Sequence, residues 1–240
     1  ILEQELLQTF KFYYFIMLIQ RLSLGLFIIP LVTVFVCLSV VIALNIYEPC
    51  NPFINGCYTI SRIGRSYPSV LIFKPMMLIT AILIIAYCFE HIRIFKKFLI
   101  SKIYLNLILL FSLVSATCLL TYILFLGIEG SEIWKFMRRG GIFIYIISLV
   151  FAQFFIALSY KKLKNDYLVI LSSKVIKITF YHSLIIIIFG FVLFLFTNRY
   201  LQLTTWNTRI IIEWNYFLFM SLFFLNTYFV WEKIDATNLV

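Results

Sequence analysis

Six long apolar runs dominate the pattern of hydrophobic and polar positions along the chain. They are Leu22–Tyr47, Ser69–Phe89, Ile103–Gly127, Gly140–Tyr160, Val175–Thr197 and Ile210–Trp231. A helix needs about 20 mostly apolar residues to cross the hydrocarbon core of a bilayer. Each run meets that length, so the pattern predicts six spanning helices. The polar stretches between them are short. The longest, Glu48–Pro68, is too short to fold as a domain. No internal repeat is evident, which leaves the inverted-repeat plan of many transporters without support. The expected fold class is therefore all-α: a polytopic integral membrane protein with a six-transmembrane-helix bundle over residues 22–231. An N-terminal arm, 1–21, precedes the bundle and a cytosolic tail, 232–240, follows it.

Within the arm, Leu6–Gln20 is apolar and aromatic but carries Gln8, Lys11 and Gln20. It is either an interfacial helix or an extension of the first span. Pro30 lies inside the first run and predicts a kink there. Glu3 and Glu5 precede the apolar stretch and no small-residue cleavage site follows, so the arm does not read as a signal peptide.

Composition agrees with the pattern. Hydrophobic residues make up 63% of the chain and charged residues 12%. Soluble domains are nearer one half and one quarter, so lipid must be the solvent for much of this surface. The net charge is +10. In a soluble protein that excess would suggest nucleic acid, but no such motif is present and no nucleic-acid partner is expected. The basic residues sit mainly between the apolar runs, where they set orientation. Arg93, Lys96, Lys97, Lys102, Lys161, Lys162, Lys164 and Lys174 fall in two central loops. That bias predicts both termini in the cytosol.

The opposite side is nevertheless basic as well, and it gathers the candidate chemistry. Its first loop holds Cys50 and Cys57 around the turn signal Asn55-Gly56. On an oxidising face these two form a disulfide or remain free thiols. Arg62 and Arg65 flank Gly64, a pattern suited either to clamping a phosphate or to snorkelling at the interface. Glu129 and Glu132 precede Lys135, Arg138 and Arg139, forming either a salt-bridged helix cap or part of a polar pocket. Glu213 lies just inside the sixth run, where a carboxylate needs a partner. Arg209, one turn earlier, is the local candidate; a headgroup is the other. His182 and Gln153, Ser148 and Asn226 read as packing and interhelical hydrogen-bonding residues. The absence of a Cys/His cluster predicts no metal site. No recognised catalytic motif is present, which leans against an enzyme, and no cofactor is expected.

Three stretches carry a family resemblance. One is Ile60-Ser61-Arg62-Ile63-Gly64 with Tyr67-Pro68, behind the Cys-containing loop. Another is Glu129–Tyr160, an acidic turn leading into an aromatic helix with Gln153. The last is Asn198-Arg199-Tyr200 followed by Ile212-Glu213-Trp214, Asn226 and Trp231-Glu232. Together they resemble the Frag/DRAM/Sfk family of six-helix membrane proteins, nearest its GPI-anchor lipid-remodelling branch. Arg62, Arg65 and Lys74-Pro75 depart from that pattern. The resemblance implies a lipid-handling protein of the endomembranes (Golgi, ER or lysosome) or the plasma membrane, acting in GPI-anchor or phospholipid remodelling and organisation. Its partners would be membrane lipids, with Arg62, Arg65, Glu129, Arg138, Arg139, Arg209 and Glu213 as the headgroup candidates. The alternatives are an adaptor that packs on other membrane-protein subunits, and a channel or transporter.

Overall fold

The computed structural model describes residues 2–128, 130–166, 173–197 and 205–232, with side chains for 13–128, 130–163, 174–192 and 205–232. Seven helices are found among them. In chain order they are α1 (Leu2–Ala43), α2 (Ile60–Arg65), α3 (Val70–Lys97), α4 (Lys102–Phe125), α5 (Glu132–Asp166), α6 (Ser173–Thr197) and α7 (Trp206–Trp231). All but α2 are long and apolar enough to cross a membrane. The chain is an all-α, multi-pass integral membrane protein.

The helices overrun the apolar runs. Leu6–Gln20 takes the second of its two readings, an extension of the first span: α1 runs unbroken from Leu2 to Ala43, 42 residues. At about 1.5 Å per residue, α1 is about 60 Å long, twice the hydrocarbon thickness. α3 continues eight residues past Phe89, and α5 starts eight residues before Gly140. Hydropathy marks where lipid ends, whereas the backbone ladder stops only at a cap or a left-handed residue. Three helices end on such residues: Asn45 (φ 54°) after α1, Leu99 (φ 54°) after α3 and Gly127 (φ 74°) after α4. The first two put the next N–H back over the helix end, in the bonds from Ile46 N to Val41 O at 2.9 Å and from Ile100 N to Phe95 O at 3.1 Å.

The six long helices form a closed ring in chain order. α1 packs on α3, α3 on α4, α4 on α5, α5 on α6, α6 on α7, and α7 closes back onto α1. The tightest seam is α4 against α5. A Cβ on Gly141 would lie 3.0 Å from Cys118 O and 3.2 Å from Tyr122 N, so only glycine allows that approach. Phe111 stacks on Phe151 and Phe155 along the same seam.

At one end of the ring, called here the α2 end, the segment after α1 folds over the bundle and is fastened to α7. Trp214 Nε1 donates to Tyr58 O at 2.8 Å, and Asn215 Nδ2 donates to Phe53 O at 3.2 Å. Gly56, at φ +64°, lies so close to Asn207 that a Cβ would stand 2.1 Å from its carbonyl oxygen. Cys50 and Cys57 are joined as a disulfide across this segment, with Cα atoms 6.5 Å apart. Short helix α2 then leads into α3. Its N-cap is Thr59, whose Oγ1 accepts from Arg62 N at 3.1 Å.

Candidate functional site

The candidate residues converge on the α2 end but do not act as one cluster. Glu213 reaches across 153 positions of sequence to accept from the Ile60 backbone N–H at 3.0 Å. A carboxylate at the first turn of α2 takes an otherwise unpaired helical donor and sits at the positive end of the short helix. Glu213 thus anchors α2 to α7, a role that the sequence pairing with Arg209 did not anticipate. Arg209 occupies the first turn of α7, half-buried.

Arg62 is committed to aromatic rings. Its guanidinium lies 5.1 Å from the Tyr47 ring centre and 5.6 Å from that of Tyr58. Those rings stack at 4.4 Å. Tyr47 is held by Ser66 at 2.8 Å and Tyr58 by Glu48 N at 3.1 Å, so the cation rests on a fixed platform. On the start of α5, Glu132 takes Lys135 Nζ at 2.6 Å and also feels Arg139. Glu129 lies outside the described residues.

Arg65 and Arg138 are different. Neither is in an ion pair among the described residues. Arg65 is exposed at the last position of α2, and its backbone approaches the Gly127 turn that ends α4. Arg138 is half-buried two turns into α5. Tyr122 of α4, only 2% exposed, lies within the electrostatic reach of Arg65, Arg138 and Glu213 together. No described residue hydrogen-bonds the Tyr122 hydroxyl. Its ring is set edge-on to Phe73, whose ring in turn fills the space a Gly64 side chain would need. Gly64 therefore serves close packing of α2 on α3.

The fold thus brings Arg65, Arg138 and Glu213 together around Tyr122. It does not bring Arg62 or Arg139 into that group. Tyr122 was missed by the sequence reading. In a chain with 15 tyrosines, a Tyr three residues before the end of an apolar helix carries no signal of its own. Two guanidinium forks and a phenol, placed where α4 ends and α5 begins, can hold three oxygens of a phosphate.

The opposite end, where α1 begins and α7 ends, holds a second polar constellation. His91 Nδ1 bonds the Tyr87 carbonyl at 2.8 Å, so that nitrogen carries the proton. Nε2 is then an acceptor for the Tyr160 hydroxyl, and Tyr160 Oη in turn accepts from Trp231 Nε1 at 2.8 Å. Tyr87 donates to Thr227 at 3.1 Å, and Thr227 to Ser23 at 3.2 Å. His91, Tyr160 and Trp231 are each no more than 1% exposed. Glu90 holds Arg93 through both carboxylate oxygens, at 2.8 and 3.0 Å. Further up the ring, His182 meets Asn226 at 2.7 Å, and Gln153 Nε2 donates to Met220 O at 3.2 Å. These contacts join helices to one another. Among the described residues no three His, Cys, Asp or Glu side chains gather to hold a metal ion.

No family model, no curated protein and no solved structure matches the chain.

Proposed function

We propose that this chain is a lipid-handling membrane protein that holds a phosphate-bearing headgroup at its α2 end. The observation that carries the reading is the pair of cations, Arg65 and Arg138, that have no ion pair among the described residues and act electrostatically on the same tyrosine, Tyr122. A helix end that meets the headgroup layer is where such a pair finds anionic lipid. Arg62 and Glu213 build the wall of the site in this reading: one locks the aromatic platform and the other holds α2 in place. The resemblance to Frag/DRAM/Sfk proteins favours the same conclusion, with GPI-anchor or phospholipid remodelling and organisation as the process served. The Lys/Arg bias and the disulfide favour the α2 end facing the lumen or the cell exterior.

The test is lipid co-purified with the protein, measured by mass spectrometry beside thermal stability in detergent. A charge-assisted hydrogen bond contributes about 1.5 to 3 kcal/mol. Arg65→Ala and Arg138→Ala should each therefore lower retained anionic lipid about tenfold or more while the melting temperature holds. If stability falls and the lipid complement stays unchanged, the cations are structural and an adaptor role takes the place of this one.

A further inference from the structure

A second polar locus lies at mid-depth, away from both ends. α1, α3, α5 and α7 meet there around a cavity of about 10 Å³, lined in part by Leu26, Pro30, Thr80, Tyr145 and Ser221. Every one of these residues falls near the middle of its span. The remaining lining is apolar.

The hydrogen-bonding inventory of the cavity is specific. Pro30 has no N–H, so the Leu26 carbonyl one turn earlier lacks its helical donor. Thr80 commits its hydroxyl proton to Met76 O at 3.0 Å, and Ser221 commits its own to Phe217 O at 2.9 Å. Both oxygens keep acceptor capacity. Tyr145 carries a hydroxyl that no described residue bonds. The lining residues therefore carry three acceptors, Leu26 O, Thr80 Oγ1 and Ser221 Oγ, and one donor, Tyr145 O–H. In lipid the chain must satisfy such groups internally.

We infer that the centre of the bundle is a hydration site that binds one water molecule, shared by α1, α3, α5 and α7. The water accepts from Tyr145 and donates to two of the three acceptors, the Leu26 carbonyl among them. It stands in for the backbone N–H that Pro30 removes. The size fits, because a cavity needs about 10 to 15 Å³ of this measure to hold one water, and a buried water takes two to four polar partners. A bare cation would find no counter-charge among the lining side chains, and an apolar guest would leave every one of these groups unmet.

The test combines a map with a cycle of variants on the full chain in lipid nanodiscs. A map that resolves ordered waters should show a single peak within hydrogen-bonding distance of Tyr145 Oη. An empty cavity there, or density larger than one water, overturns the inference. In the cycle, Tyr145→Phe should lower the melting temperature by about 2 to 4 °C. Pro30→Ala returns an N–H to the Leu26 carbonyl, so the same tyrosine change made in that background should cost less than half as much. Equal losses in the two backgrounds would show that no water links the two groups and would overturn the inference. The map uses the unaltered chain, so it decides the matter even if a variant does not fold.

Discussion

The two ends of the ring are built from the same residue types, and they differ in what becomes of Arg65, Arg138 and Glu213. At the end where α1 begins and α7 ends, four basic side chains are laid over rings: Arg93 and Lys97 over Phe15, Lys161 over Phe180 and Lys162 over Tyr104. Arg93 also has Glu90. The buried hydroxyls, imidazole and indole bond one another. At the α2 end the carboxylate of Glu213 is turned onto backbone, and Arg65 and Arg138 are left without a counter-ion among the described residues. A cation with a fixed ring or carboxylate beneath it braces a helix. Arg65 and Arg138 have neither among the described residues, which is why the proposed headgroup is placed on them. The contrast lies in the pairing of charges, not in their number.

That contrast can be broken from its stiff side first. Trp231→Ala removes a fully buried indole and takes from the Tyr160 hydroxyl one of its two partners. Large aromatic truncations in cores cost about 3 to 5 kcal/mol, and unfolding in detergent should show a loss of that size. Tyr160→Phe keeps the ring but leaves Trp231 Nε1 and His91 Nε2 without their shared partner. Because burying an unpaired polar group costs about 1 to 3 kcal/mol, an intermediate loss is expected, and an unchanged unfolding midpoint would show that this network is not a brace. Glu213→Ala, at the other end, strands the Ile60 N–H. A loss of about 1 to 2 kcal/mol is expected by analogy with a missing helix cap, together with faster proteolytic nicking within residues 44–65. The smallest effects on stability belong to Arg65→Ala and Arg138→Ala, each within about 0.5 kcal/mol. If either matches Trp231→Ala in cost, the two ends are equivalent and the comparison fails.

Six spans were legible because lipid imposes a length and a polarity that no other fold shares. The short helix α2 was not. Its six residues are held by Thr59 locally and by Glu213 from the far end of the chain, and only the first of those is visible in a local reading. Glu213 was marked as a carboxylate that must have a partner, which was sound physics. Its local candidate was a side chain one turn away, whereas the hydrogen bond goes to a backbone N–H from another element. Arg62 and Arg65 read as equivalents around Gly64, yet one faces two tyrosines and the other faces outward. Helical position separates them, and that depends on where α2 starts. The continuity of α1 through the arm was one of two readings that the residues left open. Polar residues such as Gln8 and Lys11 end a hydropathy run without ending a helix.

The tie between Ile60 and Glu213 has a consequence for biogenesis. Synthesis delivers α2 well before α7, and the ring also closes only when α7 meets α1. Until then the segment around Gly56 has no Asn207 to lie on, and Tyr58 has no Trp214 to hold its carbonyl. A nascent chain therefore carries an unfastened flap and an open seam for as long as α7 is still in the ribosome. Whatever membrane factor shelters half-made bundles would meet this one with α1 still bare along the face that α7 will cover.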